Sequence, residues 1–283
     1  MVTLHEQFDL KEMQQKLYDM FVVFHEVCLK HGIQYYMLAG TMLGAVRHQN
    51  FIPWDDDIDV GLYRGEYEKL MMLPSQVWPA QYRVMQLGTD SHHPYFFAKL
   101  VDSTTTLVED IGREHVIGTF IDIFPLDGAG DRWSSVILRR KLIATLWSCR
   151  NVSRFVIDKK RNIWKTIALR AVRCISPLTY TSMVFFLMGI YNSASSKYVG
   201  NYLGAWGLRE IMDKSIYGEP KLYKFYAGEF YGVEKPHEYL SSLYGDYRKL
   251  PPVEKRVSHH RFKYVNLHLP YDEYLRLRDT RCE

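Results

Sequence analysis

The sequence lacks the features that mark disulfide-rich, zinc-binding and membrane-spanning proteins. Its cysteines form no C-x-x-C pair and have no regular spacing, so we expect neither a disulfide framework nor a zinc site, and a reducing compartment fits better. Residues 1–6 contain no basic or apolar stretch typical of a secretory signal. The longest apolar run, residues 183–190, is far shorter than the roughly 20 residues of a membrane span. We therefore expect a cytoplasmic protein. The four cysteines are Cys28, Cys149, Cys174 and Cys282.

Acidic residues are nearly absent between Arg132 and Arg173, although the whole chain carries a net charge of only +4. This stretch holds twelve Lys or Arg and one acid, Asp158, so its charge is +11 and the remainder carries −7. Such a charge attracts nucleic acid or an anionic membrane. A third interpretation, a solvated helix face, explains the charge less well because acidic residues that could pair with the cations are nearly absent. Aromatic residues between the cations favour helices lying on an anionic membrane, and no nucleic-acid partner is expected. These aromatics are Trp133, Trp147, Phe155 and Trp164.

The hydrophobic pattern predicts helices and strands in alternation over the first half of the chain. An apolar pattern of helical period starts after Asp9, a residue suited to an N-cap, and ends at His31 and Gly32. Strands are expected at residues 33–38, 58–62, 82–87, 96–101 and 120–124, and helices at 39–49 and 65–73. A turn at residues 125–128 would close the last strand, with Asp127 as a turn residue.

The second half of the chain is predicted to be mainly helical at first. Residues 133–198 are basic and amphipathic, and a further helix is expected at 237–244. We therefore predict an α/β (α+β) fold with three parts. These are a core over residues 1–130, a basic amphipathic helical insertion over 131–200, and a segment over 201–283 that packs back on the core and completes the site.

Two acids, Asp57 and Asp59, stand two positions apart where the second strand is expected. Residues i and i+2 of a strand project from one face, so their carboxylates would lie side by side. Such a pair repels unless a divalent cation lies between the two groups, and Mg²⁺ typically takes one or two carboxylates together with substrate phosphates. The alternative without a functional role is an acidic turn or a solvated strand edge.

A calcium loop of the EF-hand type is a second alternative for the same segment. Asp55, Asp57, Asp59 and Glu66 fall at its positions 1, 3, 5 and 12. That loop needs glycine at position 6, where this chain has Val60, and a β-branched residue resists the positive φ required there. We therefore reject the EF-hand.

A glycine-bounded turn, G-T-M-L-G, precedes these acids at residues 40–44. It follows an expected strand and opens a short helix, where backbone N–H groups can approach a phosphate. Arg47 follows as a possible phosphate clamp, although an ordinary surface role fits its spacing equally well.

The stretch from Leu38 to Asp59, LAGTMLGAVRH followed by FIPWDDDID, closely resembles the LicD family of phosphocholine transferases, which is related to fukutin. The segments AKLVDS at 98–103, IDIFPLDG at 121–128 and YGDYRKLPPVEKR at 244–256 resemble the same family. The resemblance spans most of residues 30–130 and 240–260, and the basic stretch matches far less well. It implies a nucleotidyltransferase-type core with a mixed sheet.

The resemblance also implies roles for individual residues. A third carboxylate is expected on a neighbouring strand, and Asp122 is the best candidate, so Asp57, Asp59 and Asp122 are the expected catalytic and metal-binding residues. Asp55 and Asp56 are expected to support them or to cap the chain. Expected substrate contacts are Gly40, Thr41, Gly44, Arg47, Lys99, His259 and His260, the two histidines having interface packing as an equal alternative.

The implied activity is transfer of phosphocholine, or a related alcohol phosphate, from CDP-choline or another CDP-alcohol. The acceptor would be a sugar hydroxyl of a cell-envelope glycan, such as lipopolysaccharide, capsule or teichoic acid, or its lipid-linked precursor. Mg²⁺, with Mn²⁺ as an alternative, would be the cofactor, and peripheral contact with the cytoplasmic membrane face is expected. Two other classes stay open: a GT-A-type glycosyltransferase, which also uses a D-x-D motif, and a non-catalytic glycan- or lipid-binding module.

Overall fold

Two compact units make up the chain. The computed structural model describes residues 9–88, 90, 93–111, 114–152, 170–258, 260 and 262–280. The first unit comprises Met1–Pro125 and Ser215–Glu283, and the second comprises Leu126–Lys214. Among the described residues, no helix combines the length and apolar character needed to cross a membrane.

The helices and strands follow one another in a mixed order. The helices are α1 (Leu10–Lys30), α2 (Ala39–His48), α3 (Arg64–Met71), α4 (Trp133–Val152), α5 (Pro177–Met188), α6 (Lys214–Tyr217), α7 (Pro236–Tyr244) and α8 (Tyr271–Asp279). The strands are β1 (Tyr36–Met37), β2 (Asp59–Tyr63), β3 (Tyr82–Met85), β4 (Ala98–Asp102), β5 (Thr106–Asp110), β6 (Glu114–Ile117), β7 (Phe120–Gly130), β8 (Tyr198–Gly200), β9 (Ile211–Asp213), β10 (Lys221–Phe225), β11 (Gly228–Gly232) and β12 (Phe262–Asn266).

Helix α1 begins and ends where the sequence predicts. The side chain of Asp9 accepts a hydrogen bond from the Lys11 N–H at 2.9 Å, which satisfies one of the free donors of the first turn. Gly32 follows the helix with φ of 62°, a conformation that glycine adopts without strain. The buried face includes Phe21, whose ring stacks on that of Phe230 with centroids 4.0 Å apart.

The main sheet of the first unit is mixed, which confirms the predicted fold class. Its strand order is β10-β11-β1-β2-β7-β4-β3. β11 pairs with β1 in parallel, whereas the β1–β2, β3–β4 and β4–β7 ladders are antiparallel. A smaller sheet has the order β12-β5-β6. Strands from the C-terminal segment therefore extend both sheets, and residues 215–283 belong to the same unit as residues 1–125.

Several sequence-based boundaries were wrong. The turn expected at residues 125–128 is instead the middle of β7, so Asp127 is a buried strand residue that pairs with Gly200. The strand tolerates Pro125 because this residue lies between two ladders, one joining residues 120–123 to β4 and the other joining 127–130 to β8. We did not predict β5 and β6. The first expected strand, at 33–38, is reduced to the two residues of β1.

The second unit includes residues 131–200, which we predicted to be a basic helical insertion. Helices α4 and α5 pack against each other, and β8 pairs with both β7 and β9. Two of the cations in α4 are buried: Arg139 donates to the Gly128 carbonyl at 3.3 Å, and Arg150 lies over the Trp147 ring at 4.3 Å. Part of the basic character therefore stabilises the unit itself.

We expect Phe230→Ala to weaken the attachment of the β10–β11 hairpin to α1. Phe230 is 2% exposed and stacks on Phe21. Removing such a ring leaves a cavity, and the free energy of unfolding should fall by about 3–5 kcal/mol in urea denaturation.

Leu222→Ala on the same hairpin is the matched control. Its side chain is 51% exposed, so the free energy of unfolding should change by about 0.5 kcal/mol or less. Equal losses in the two variants would contradict the packing described here.

Candidate active site

Three acidic side chains lie together in the loop between α2 and β2. One carboxylate oxygen from each of Asp55, Asp56 and Asp57 lies within 4.8 Å of the other two. Asp55 and Asp56 are buried, and Asp57 is partly exposed. The Asp55 N–H donates to the Ile52 carbonyl at 2.9 Å, and the Gln14 amide donates to the Asp55 carbonyl at 2.8 Å. These bonds hold the loop so that the three acids converge.

The glycine turn packs directly on this loop. A Cβ atom at Gly40, in the first turn of α2, would lie 2.8 Å from Asp55 Oδ2, so only glycine leaves room for that carboxylate. The hydroxyl of Thr41 accepts the Asp59 N–H at 2.8 Å. Leu38, which precedes α2, makes no side-chain hydrogen bond to the first turn of the helix. The motif thus anchors the acidic loop, and the Tyr239 hydroxyl accepts the Ala39 N–H of this helix end at 3.1 Å.

A fourth carboxylate, Asp122, approaches from the centre of the sheet. Asp122 on β7 is the register partner of Lys99 on β4, and the Lys99 Nζ atom lies 2.7 Å from Asp122 Oδ1. The Asp122 N–H donates to the Ile58 carbonyl at 2.9 Å, which joins β7 to the end of the acidic loop. Burial raises the pKa of Asp122 to about 6, although the Lys99 charge opposes this shift.

The C-terminal segment adds a histidine and a serine. His260 Nδ1 lies 3.0 Å from Asp56 Oδ1 and 3.8 Å from Asp57 Oδ2. The Ser258 hydroxyl donates to the other oxygen of Asp56. Burial alone would lower the pKa of His260, but the hydrogen bond to Asp56 and the charge of Asp57 outweigh it, and the pKa rises to about 9. The imidazole is therefore a cation at neutral pH that partly offsets the acids.

The acidic cluster has the donor set that a hard divalent cation needs. Burial, and then the charges of Asp57 and Asp56, raise the pKa of Asp55 well above its ordinary range. Burial also raises the pKa of Asp57, against the opposing charge of His260. Crowded carboxylates of this kind favour a bound cation, and carboxylate oxygens are the ligands that Mg²⁺ takes in proteins. The residues fit the expected metal.

Four of the residues expected from the sequence are brought together: Asp57, Asp122, Lys99 and His260. We expected strand alternation to place the carboxylates of Asp57 and Asp59 side by side. Asp57 instead lies in the loop before β2, so strand alternation does not determine where its carboxylate lies. Asp59 is the first residue of β2.

The other expected contacts are more dispersed or lie elsewhere. Arg47 donates to the Tyr247 carbonyl at 2.9 Å, which links α2 to the C-terminal segment. Gly44 is buried, and a Cβ there would lie 2.5 Å from the Asn50 carbonyl oxygen, so this glycine is required by packing. His259 lies outside the described residues.

Two neighbours of Asp57 lie closer to it than the sequence indicated. Asp55 and Asp56 were expected to be supporting or capping groups, yet their oxygens complete the cluster. The signal was present as three consecutive acids, but consecutive residues of an extended chain point in different directions, and only the fold of the loop makes them converge. The sequence also gave no indication that Ser258 would contact Asp56.

Comparison with known proteins identifies the domain that carries this site. Residues 32–135 match the family model described as LicD/FKTN/FKRP, nucleotidyltransferase domain. The chain is 28% identical over 263 residues to the lipopolysaccharide cholinephosphotransferase LicD of Haemophilus influenzae, an alignment that covers 90% of this chain and 97% of that protein.

A second similarity is short and local. The human and mouse ribitol 5-phosphate transferases FKRP are each 50% identical to the chain over 32 residues, which is 11% of this chain and 6% of theirs. The motifs around the glycine turn and the acidic loop had already indicated this family, and the match confirms it. Residues 32–135 of this chain are a LicD-family nucleotidyltransferase domain.

Proposed function

We propose that this protein transfers phosphocholine, or a related alcohol phosphate, from a CDP-activated donor to a sugar hydroxyl of a cell-surface glycan or its lipid-linked precursor. The family of residues 32–135 and the similarity to a lipopolysaccharide cholinephosphotransferase support the transferase class. The observation that carries the proposal is the cluster of Asp55, Asp56 and Asp57 beside the ion pair of Lys99 and Asp122. Phosphoryl transfer requires this combination of metal-binding oxygens and a cation.

The proposed reaction exchanges one phosphorus–oxygen bond for another. The acceptor hydroxyl oxygen forms a bond to the phosphorus of the alcohol phosphate, and the bond from that phosphorus to the oxygen of CMP breaks. CMP leaves with the electron pair of that bond, and the hydroxyl proton passes to the carboxylate of Asp122. Bound Mg²⁺, or Mn²⁺ in its place, would offset the negative charge on the phosphate oxygens and on the departing CMP.

The chain's own residues would bind the ion and the diphosphate. Asp57 belongs both to the set inferred from the sequence, with Asp59 and Asp122, and to the cluster with Asp55 and Asp56. We therefore assign it the central role in metal binding. The N–H groups of Gly40 and Thr41, in the first turn of α2, are the proposed cradle for the diphosphate, and Gly44 lets the helix pack closely behind them. Arg47, Lys99, His259 and His260 are the proposed cationic and polar contacts to the substrate.

We expect Asp57→Asn to lower transfer by at least about a hundredfold, as the loss of one preorganised electrostatic group typically does. CMP release from a panel of CDP-linked alcohols, with Mg²⁺ and a glycan acceptor, measures this loss. Mg²⁺ should also raise the melting temperature of the wild type but not that of the variant.

Asp279→Asn is the matched control, because Asp279 is exposed at the end of α8 and pairs with the adjacent Arg278 at 3.1 Å. It should keep wild-type turnover and the Mg²⁺ response. Near wild-type turnover in Asp57→Asn would exclude the assigned role. Turnover of UDP-sugars instead of CDP-alcohols would favour a GT-A-type glycosyltransferase.

We expect Gly40→Ala to disturb catalysis through Asp55. The added methyl group would lie 2.8 Å from Asp55 Oδ2 and would displace that carboxylate. A displacement of about 1 Å in an active site can cost about a hundredfold in rate, and kcat/KM for the CDP-alcohol should fall by that order.

Gly65→Ala in α3 is the control, since a Cβ at Gly65 meets no atom within 4 Å. This variant should keep its kcat/KM, and its melting temperature should not fall, because alanine favours a helix more than glycine does. If Gly40→Ala retained full kcat/KM, the close approach of the turn to the acidic loop would have no catalytic importance.

We also propose that residues 131–200 contact an anionic membrane on its cytoplasmic face, where a lipid-linked acceptor would be held. Helix α5 and the residues after it carry no charge from 176 to 196. Two apolar side chains of α5 are strongly exposed, Leu178 at 77% and Phe186 at 72%. The second unit also exposes the cations Lys141, Arg170 and Arg173. An apolar face flanked by cations suits anionic lipid.

The aromatic residues contribute differently from what we expected. Trp147 contacts the buried Arg150, and Phe155 and Trp164 lie outside the described residues. The support for membrane contact in the described residues therefore comes from α5 and from the exposed Trp133 and Leu138 of α4.

We expect the double substitution Leu178→Ser with Phe186→Ser to lower the binding of the protein to anionic vesicles by at least about tenfold, since each apolar side chain contributes on the order of 1 kcal/mol on burial. Co-sedimentation with phosphatidylglycerol vesicles measures this binding. Leu222→Ser, on the exposed hairpin of the first unit, is the control and should bind like the wild type. If the co-sedimentation of the wild type depends neither on anionic lipid nor on salt concentration, the proposal is wrong.

A further inference from the structure

A cavity of 340 Å³ opens beside Asp122 and His260, within the first unit. Its volume lies near the lower end of the range of about 300–1,000 Å³ for ligand pockets, so it suits a small group. Three aromatic rings contribute to its wall: Tyr95, Phe97 and Phe262. The reactions proposed above use Asp122, Lys99 and His260 but leave this aromatic wall without a role.

The aromatic faces here already hold a cation. The Lys99 Nζ atom lies 3.1 Å from the centroid of Phe120, 4.6 Å from that of Tyr95 and 5.5 Å from that of Phe97. Tyr95 and Phe97 are stacked, with centroids 5.1 Å apart. Ring faces attract cations through their quadrupole, and distances within about 6 Å are effective. This end of the cavity is therefore built for positive charge.

A buried carboxylate adds to that preference. Glu109 is 5% exposed and lines the cavity with Asp110. It accepts hydrogen bonds from the Tyr95 hydroxyl at 2.9 Å and from His115 Nδ1 at 2.8 Å. Burial would raise its pKa, but the Lys99 charge and the His115 hydrogen bond lower the pKa to about 2, so the group is ionised.

The acid and one ring share a wall. Glu109 on β5 is the register partner of Phe262 on β12, and the Phe262 ring stacks on His260 with centroids 5.5 Å apart. The lining thus combines the cation Lys99, which suits a phosphate, with the acids Glu109 and Asp110 and three rings, which suit a cation. A group that carries both charges matches this arrangement.

We infer that this cavity binds the quaternary ammonium end of the donor's alcohol phosphate, with Tyr95, Phe97 and Phe262 as contacting rings and Glu109 as the counter-charge. The inference rests on the proposed function, because the phosphorus would lie on the Asp122 side. A trimethylammonium group is weakly hydrated, presents methyl groups to the rings and adds positive charge beside Glu109 and Asp110, whereas a neutral polyol offers the rings and the acids no cation. The cavity would therefore select choline over neutral alcohols.

Calorimetry with CDP-choline, CDP-ribitol and CMP tests this selection in the wild type, Phe262→Leu and Glu109→Gln. Each substitution should weaken CDP-choline binding by about tenfold and leave CMP and CDP-ribitol binding unchanged. Where turnover is measurable, KM for CDP-choline should rise in proportion while kcat stays within about twofold. Glu109→Gln keeps the shape of the side chain, and the half-buried Phe262 gives a second variant with little risk to folding.

Two matched variants control for charge and ring loss. Glu114→Gln removes an exposed acid on β6, and Tyr264→Leu removes a ring on β12 that stacks on Tyr274 at 5.0 Å. Both should bind CDP-choline like the wild type.

The outcomes separate this inference from the proposed function. If the Phe262→Leu and Glu109→Gln variants lose as much affinity for CMP as for CDP-choline, the cavity holds the nucleotide. If their affinity for CDP-choline is unchanged, the cavity holds neither the nucleotide nor the choline group. Either result overturns the inference. Wild-type protein that binds CDP-choline with the expected variant losses but never releases CMP would instead overturn the proposed transfer. If the wild type binds no CDP-choline, it is titrated with tetramethylammonium chloride, which carries the quaternary ammonium group alone. Absence of binding in that titration overturns the inference.

Discussion

The electrostatic repulsion among Asp55, Asp56 and Asp57 is the constraint that the rest of the site depends on. Three carboxylates with oxygens within 4.8 Å, two of them buried, destabilise the folded chain unless positive charge lies nearby. The fold supplies some of it through the protonated His260, which contacts Asp56. Backbone hydrogen bonds and the missing side chain of Gly40 then hold the loop in place. The site is therefore a crowded arrangement of like charges, which the proposed divalent cation would stabilise.

The C-terminal residues complete both the sheet and the site. β11 pairs in parallel with β1, β12 pairs with β5, and Ser258 and His260 contact Asp56. These partners are about 150 to 200 residues apart in sequence, so the site forms only when the two ends of the chain have folded together. The small sheet of β12, β5 and β6 also contributes Glu109 and Phe262 to the cavity. The proposed contacts to the metal ion, to the phosphate and to the alcohol thus come from three separate parts of one unit.

The second unit shows how one composition can serve two purposes. Its excess of cations led us to expect a surface for an anionic partner, but Arg139 and Arg150 are buried and stabilise the unit through hydrogen bonds and ring contacts. The exposed cations and the uncharged, exposed face of α5 are the features that still support a surface for an anionic partner. Charge counted along a sequence does not distinguish a buried guanidinium from an exposed one, because burial depends on neighbours from other elements.

The sequence by itself determined the LicD-family domain of residues 32–135, the mixed α/β class, and α1 with its caps and α7; it also named Asp57, Asp122, Lys99 and His260, which the structure brings together. These features depend on local periodicity or on motifs that are contiguous in the chain. Tertiary structure alone decided that Asp55 and Asp56 join the cluster, that β7 continues through Pro125, and that Glu109 and Phe262 face each other beside Asp122. Each of these depends on a loop path or a ladder between distant segments, and the free energy that selects such pairings comes from packing and burial in the folded unit.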